Sequence, residues 1–518
     1  MNNMMRYILA FFYLILFANN AKAQVVEERI ISAIDSIVKE YLSAREYLTG
    51  GVICIVSKDS TYLQKGYGLA DLESQVKFSA DSTELEIASV SKLITTTALL
   101  SLVELGKLEL DKPVEFYIGE NLIRNKYGED LLVRHLLTHT SGIDDRSGYM
   151  ESKSIEAIPE LAEYIEKYFP QVIWTPGRFF NYSNYAFVLT AFLIEEVSGQ
   201  DFSQYIKENL LVPLKMEYSG FSENINTLPE MRRYRLREND QNEIYSQVAD
   251  ESYSNLMGAA GFKTTGADMV NFLKLYLNNG KFNGINLLSQ ETIANAFSTH
   301  FTYHPGLTYQ QGLGWRIKMI DNQKILYHYG DDTGIESSII IFPESRLGIF
   351  MCFNNPMGYD VKVEIENEIF HILNEESTPS SPNKISLKIP NDVAGDYLYM
   401  NDSHTTFERL GFLLGNRKIS VRVEADSMLY LNERIFIPAQ DPLILKEKNK
   451  DTELIFLRND QEKIGYFSFG RSTYRKIKAW EDPNIHRHLF LTYFILAIIF
   501  MLFSLTRFLL LKLRREKN

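Results

Sequence analysis

Ser89 and Lys92 stand three residues apart in "ELEIASVSKLITTTALL", Glu84 to Leu100. A serine hydroxyl is a poor nucleophile until a base takes its proton. A lysine amine can be that base if burial, which disfavours the charged form, lowers its pKa. Residues i and i+3 share a helix face, so with Ser89 at a helix start Lys92 lies just beneath it. The helix N-terminus also offers free backbone N–H groups to a developing oxyanion. This work requires Lys92 to titrate near about 7–8 instead of ~10.4. S-x-x-K alone is a weak signal. An N-cap serine followed by a snorkelling lysine has the same spelling, and a second copy, Ser381 to Lys384, stands in a stretch with no helix pattern.

Further members of a constellation are therefore needed. Y-x-N occurs at Tyr182-Ser-Asn184 and also at Tyr253, Tyr276, Tyr399 and Tyr430. Tyr182 is set apart by its context, "WTPGRFFNYSNYAFVLTAFLIEEVSG", where a Pro-Gly turn leads in and an apolar helix leads out. A tyrosine held there can carry a proton beside Lys92, and Asn184 can hydrogen-bond the lysine or a substrate amide. H-x-G occurs at His328-Tyr-Gly330 and at His304-Pro-Gly306. Only the former sits on a strand-like run, at whose edge backbone groups can pair with an extended substrate.

The elements that must position these residues follow from periodicity. Apolar residues at helical spacing mark "VVEERIISAIDSIVKEYLS", and strands are expected over Gly51 to Ser57 and Thr61 to Gly68. A helix runs from Ser89 to Leu105, and several helical runs closed by glycine fill 107 to about 260. "TTGADMVNFLKLYLNNG" carries a Thr or Asp cap and a terminal Gly. Strand-like runs return at Lys324 to Tyr329, Ser337 to Phe342 and Leu347 to Phe353, followed by a closing helix in "MGYDVKVEIENEIFHILNEE". Helices and strands at both ends thus bracket a helical middle, which predicts one sheet assembled from distant segments with a helical subdomain inserted. "ESTPSSPNK" has linker composition. Beyond it, short alternating runs such as "ISVRVEA" and "IGYFSFG" predict a small antiparallel β barrel or sandwich.

Both ends of the 518-residue chain carry addresses. Arg6, the apolar run Tyr7 to Phe17 and Ala21-Lys22-Ala23 read as a signal peptide cut before Gln24. Leu489 to Thr506 is uncharged and as a helix spans ~27 Å, close to the hydrocarbon thickness of a bilayer. Arg507, Lys512, Arg514, Arg515 and Lys517 follow, and the positive-inside rule puts that end in the cytoplasm. The expected layout is a signal peptide over 1–23, a hydrolase domain over 24–375, a linker over 376–388, a small β domain over 389–480, a transmembrane helix over 488–511 and a basic cytoplasmic tail over 512–518. The net charge of −12, with no basic block in the soluble region, argues against nucleic acid as a partner. Cys54 and Cys352 lie in apolar strand-like runs; an oxidising compartment would permit one disulfide between them, but they read as two buried free thiols, since buried Cys often acts as a small hydrophobe. No zinc-ligand spacing is present, and no metal or organic cofactor is implied.

In order, "IASVSK", "HLLTHTSG", "PGRFFNYSNYAF", "GAAGFKTTGADM", "GLGW" and "HYGDDTG" resemble the serine β-lactamase and penicillin-binding-protein family. The likeness is to its class C β-lactamase, D-alanyl-D-alanine carboxypeptidase, D-aminopeptidase and esterase branch, over roughly 27 to 375. The resemblance implies an α+β fold: an antiparallel sheet flanked by helices, with the inserted helical subdomain. It implies Ser89 as acylated nucleophile, Lys92 as its base and Tyr182 as proton carrier. Asn184, His328, Gly330 and Asp331 would bind substrate, with the Ser89 and Asp331 N–H groups as oxyanion hole. It makes His139 and Ser141 structural, and gives Gly261 and Trp315 to packing. Where many members present K-T-G, this chain has His328-Tyr-Gly330 followed by Asp331 and Asp332. That departure disfavours a free substrate carboxylate and suggests instead that an aspartate meets a substrate amine.

The expected function is a membrane-anchored, extracytoplasmic serine hydrolase acting through an acyl-enzyme on a peptide, amide or ester. Cell-wall fragments containing D-amino acids fall within that class. A catalytically lapsed binding or sensor module and a β-lactamase are the competing readings. Neither the natural substrate nor the oligomeric state is written in the sequence.

Overall fold

The computed structural model describes residues 25–43, 48–119, 122–145, 150–221, 228–239, 242–248, 253–320, 323–374, 387–401, 403–405, 418–424, 428–439, 441–448, 450 and 452–515. The expected signal peptide and the second S-x-x-K lie outside these residues, as does most of the expected linker. The chain forms two compact units, one mainly from residues before Pro382 and one mainly from residues after Asn383.

The first unit is built on an eight-stranded antiparallel sheet. Its strands are β1 (Gly50–Ser57), β2 (Thr61–Asp71), β3 (Val76–Lys77), β4 (Tyr309–Gln311), β5 (Arg316–Ile320), β6 (Gln323–Asp332), β7 (Ile335–Phe342) and β8 (Leu347–Phe353). Their order is β4-β5-β6-β7-β8-β1-β2-β3. The two ends of the domain sequence therefore meet where β8 pairs with β1, Cys352 opposite Val52 and Phe350 opposite Cys54. That closure is why a helical insertion some 230 residues long can be accommodated between β3 and β4 without breaking the sheet.

The sheet is covered on both faces, and β1 shows how. Alternate residues of a strand point to opposite faces. Val52, Cys54 and Val56 enter one core, with α2 (Ser91–Glu104), α3 (Asn184–Ser198) and α4 (Gly266–Leu277). Ile53 and Ile55 enter a second core, with α1 (25–43) and α5 (Gly358–Asn374). "GGVICIVS" is thus apolar throughout because neither face meets water. Cys54 and Cys352 are free and buried, as expected, and burial pushes both thiols well above their ordinary range.

α2 is buried on almost every side, Ser91 through Leu100 and Leu102 included. A helix apolar all round belongs inside a core, and Lys92 shares that fate, with no exposed surface. The expected α-helix from Ser89 begins two residues later. Ala88–Val90 is a single 3₁₀ turn, and the α-helix proper starts at Ser91.

In the second unit, eight strands from β9 (Gly395–Tyr399) to β16 (Ser472–Lys476) form a closed barrel in sequence order. The first and last strands pair directly, Tyr399 opposite Tyr474. Closure leaves no free edge, which settles the choice between barrel and sandwich. Its interior holds Tyr397, Leu429, Phe436, Phe456 and Phe467. The chain then forms α6 (Pro483–Arg515). Its apolar window has a mean hydropathy of 2.5 and is not buried in protein, so α6 is a candidate membrane span, longer than the expected 488–511.

Candidate active site

Ser89 sits half-buried on the 3₁₀ turn, where three segments far apart in sequence converge. Lys92 Nζ lies 2.9 Å from Ser89 Oγ and Tyr182 Oη lies 2.8 Å from it. Lys92 also donates to Asn184 Oδ1 and to the Ala259 carbonyl, both at 2.8 Å. These two acceptors hold the Lys92 amine in place beside Ser89.

Each position has a local cause. Ala88 takes φ +43°, in the left-handed region, which costs about 1–2 kcal/mol for a residue with a Cβ. Ser91 sustains it: its hydroxyl donates to the Ala88 carbonyl at 2.5 Å and accepts the Phe262 N–H at 3.2 Å. Tyr182 and Asn184 are placed by the start of α3. Ser183 caps that helix, accepting the Ala186 N–H at 3.1 Å, so Asn184 enters the first turn facing Lys92. The Ala259 carbonyl comes from a loop that begins at Gly258, φ +84°, whose own carbonyl accepts from Thr95 at 2.7 Å. Beneath Tyr182, the His139 ring lies 4.2 Å from the Tyr182 ring, and its Nδ1 accepts the Ser183 N–H at 3.3 Å. Ser141 accepts the Ile143 N–H. The pair His139 and Ser141 is thus a support.

β6 brings its H-x-G against the same turn. The close approach requires glycine: a Cβ on Gly330 would stand 2.3 Å from the Ile87 carbonyl and 3.0 Å from the Ser89 nitrogen. Ser337 of β7 ties the two together, donating to Ile87 O at 2.8 Å and contacting Gly330 O at 3.2 Å. Strand alternation then sorts the four residues. Gly330 and His328 face the Ser89 side, while Tyr329 and Asp331 face α5, where Tyr329 donates to Glu366 and Asp331 accepts from Lys362. The Asp331 carboxylate thus pairs with Lys362 on the α5 side while about half of its side chain, 53%, stays exposed. Asp332 is exposed and accepts the Thr333 N–H. The rival H-x-G, at His304, closes its own turn by accepting the Gly306 N–H at 3.0 Å.

Two basic side chains, Lys92 and Arg316, bear on Tyr182 and His328. Arg316 of β5, which follows the "GLGW" segment, stacks its guanidinium 5.3 Å from the centre of the Tyr182 ring. Its Nε is buried and has no hydrogen-bond partner among the described residues. Burial raises the Tyr182 phenol, but the Lys92 and Arg316 cations and the bonds to Lys92 and Ser89 outweigh it, leaving the phenol more acidic than usual. Burial, together with Arg316, Lys92 and His139, holds His328 well below the usual imidazole value, so it is neutral at pH 7. Sequence reasoning missed Arg316, Ser91 and the Ala259 carbonyl. Only Arg316 had a usable signal, a cation at the first strand position after a motif.

The family model described as Beta-lactamase matches residues 34–367. Protein flp of Staphylococcus aureus (strain MW2) is 26% identical over 337 residues, 64% of this chain and 64% of that one. The putative penicillin-binding protein PbpX of Bacillus subtilis (strain 168) is 26% identical over 349 residues, 67% of this chain and 81% of that one. The alignment thus leaves part of Protein flp without a counterpart. Among solved structures, SurE superposes with a TM-score of 0.63 at 18% identity, covering 88% of this chain and 100% of that one. D-amino acid amidase from Ochrobactrum anthropi SV3 superposes with a TM-score of 0.53 at 20% identity, covering 67% and 99%. At such identities these two likenesses concern the fold. The family match runs unbroken through the segments that carry Ser89, Tyr182 and His328, and the chain belongs to the beta-lactamase family.

Proposed function

We propose that the chain is a serine hydrolase that forms an acyl-enzyme at Ser89 on a peptide, amide or ester. The observation that carries the reading is the convergence of Lys92 Nζ and Tyr182 Oη on Ser89 Oγ, at 2.9 and 2.8 Å. Asn184 Oδ1 and the Ala259 carbonyl accept two N–H bonds from Lys92. In the neutral amine the remaining position is a lone pair, aimed at Ser89 Oγ. Ser89 passes its proton to that lone pair as Oγ bonds to the substrate carbonyl carbon. The carbonyl π pair moves onto oxygen, where the Ser89 and Asp331 backbone N–H groups serve as oxyanion hole. Collapse expels the leaving group, which takes its proton through Tyr182. Water repeats the sequence and frees the acid. Asn184 contacts the substrate as an uncharged hydrogen-bonding group, and substrate entry has to uncover the buried Nε2 of neutral His328 before it can do the same. Gly330 lets the substrate-pairing strand edge approach. Arg316 offers a fixed counter-charge to an anionic group of the substrate.

Relatives named for penicillin binding and for D-amino acid amides make D-amino-acid peptides and amides the first substrates to try. The basic residues after Thr506 favour a cytoplasmic C-terminus and an extracytoplasmic catalytic unit. A fluorophosphonate probe tests the chemistry: wild type is expected to be labelled and Ser89→Ala not. A folded wild type that takes up no label overturns the reading in favour of a binding module.

A further inference from the structure

The strand edge beside Ser89 is held from behind by a lysine outside the reactive cluster. Lys362, in the first turns of α5, has a fully buried side chain. Its Nζ donates to Asp331 Oδ1 at 2.5 Å and to Glu336 Oε2 at 2.6 Å. The Tyr329 and Tyr359 rings cover it, their centres 4.9 and 5.2 Å away. Asp331 and Glu336 face each other across the end of the β6–β7 hairpin. Like charges directly opposite on neighbouring strands repel, and an ammonium between them turns the repulsion into a bridge. Burial and the facing Asp331 push Glu336 up to about 8, while Glu336 and Lys362 hold Asp331 below its ordinary value despite burial.

A second fastening lies one turn further along α5. Glu366 accepts from Tyr329 Oη and pairs with Lys318 of β5 at 3.3 Å. Between these two fastenings, α5 grips the far face of the strand whose near face abuts Ser89. The backbone at Gly330 and Asp331 has no slack on the near side, where Ile87, Ser89 and Ser337 touch Gly330. On the far side, Lys362 ties Asp331 and Glu336 to α5.

We propose that Lys362 is a positioning residue for acylation: by tying Asp331 and Glu336 to α5, it fixes the Gly330–Asp331 backbone where the oxyanion forms. This rests on the hydrolase reading above. Lys362 touches neither substrate nor the reacting atoms, so its loss should slow bond formation and leave ground-state binding nearly intact.

The test uses the full chain in detergent, with single-turnover fluorophosphonate labelling and steady-state hydrolysis of a p-nitrophenyl ester. Lys362→Met is expected to acylate ~10–100-fold more slowly, short of the ~10²–10³ cost of deleting an oxyanion donor outright. KM should change less than about threefold, and Lys362→Arg should recover most of the rate, since its guanidinium can bridge both carboxyl groups. The triple variant Lys362→Met, Asp331→Asn, Glu336→Gln removes every charge from the cluster. It should regain wild-type melting while acylation stays slow, and it carries the comparison alone if Lys362→Met does not fold. A triple variant with wild-type acylation overturns the inference, because Lys362 would then only neutralise buried charge. So does an unchanged rate in Lys362→Met, or a loss confined to KM. A wild type without Ser89-dependent labelling overturns the hydrolase reading and this inference with it.

Discussion

Ser89 has two neighbours that can take its proton, and their surroundings assign them different tasks. Lys92 is enclosed, its N–H bonds spoken for by Asn184 and Ala259. Tyr182 is partly buried and acidified, and in the proposed mechanism it passes the proton onward. Tyr182→Phe keeps the ring stacked on His139 and removes only the hydroxyl. It should lower kcat/KM by ~10²–10⁴, the usual worth of a positioned acid–base group, with little change in melting temperature. Arg316 acts on the same phenol through space. Replacing it by Met removes a cation that favours the phenolate, so the Tyr182 pKa must rise. The acid limb of the pH–rate profile, to which Tyr182 contributes as a member of a coupled pair, should move to higher pH. The same variant should raise KM for substrates carrying a carboxylate more than for neutral esters. An unmoved limb would place Arg316 outside the proton network.

At the scale of elements, two short backbones do most of the placing. The 3₁₀ turn lifts Ser89 clear of α2, and β6 comes against it only because residue 330 has no side chain. Gly330→Ala inserts a Cβ 2.3 Å from both Ile87 O and Ser337 Oγ. Overpacking of this kind costs about 1–3 kcal/mol. The strand must retreat from Ser89, so acylation should fall by more than the loss of stability explains, as labelling at a temperature well below the melting point will read. The alternation along β6 was legible in advance: period two separates His328 and Gly330 from Tyr329 and Asp331. Which of the two faces meets Ser89 was not, because that depends on α5 closing the other one.

For the molecule as a whole, buried imidazoles set an acid limit. Burial holds His135 at about 4, and holds His300 and His328 below their usual value as well. All three are lowered in the fold relative to the unfolded ~6.5. The unfolded chain then binds more protons than the native one between that value and the folded values. Stability is full above about pH 6.5 and falls as pH drops through the window. Melting of the first unit should decline between about pH 6.5 and 4, and His135→Asn should flatten the slope. A melting temperature that holds steady across that range would mean that the imidazoles protonate without strain.

The sequence by itself determined the periodic and the contiguous. S-x-x-K, Y-x-N and H-x-G, the apolar strands, the alternating barrel runs and the uncharged C-terminal helix are all written in neighbouring residues. Tertiary structure decided the partners drawn from afar. The Ala259 carbonyl that orients Lys92 and the Lys362 clamp behind Asp331 leave no local pattern, and Arg316 shows only as a cation after "GLGW" with nothing to name Tyr182 as its partner, because such pairs form through packing, not through spacing. Asp331 is a further case: it pairs with the buried Lys362 while half of its side chain stays exposed, and nothing in the spelling of H-x-G-D-D names that partner.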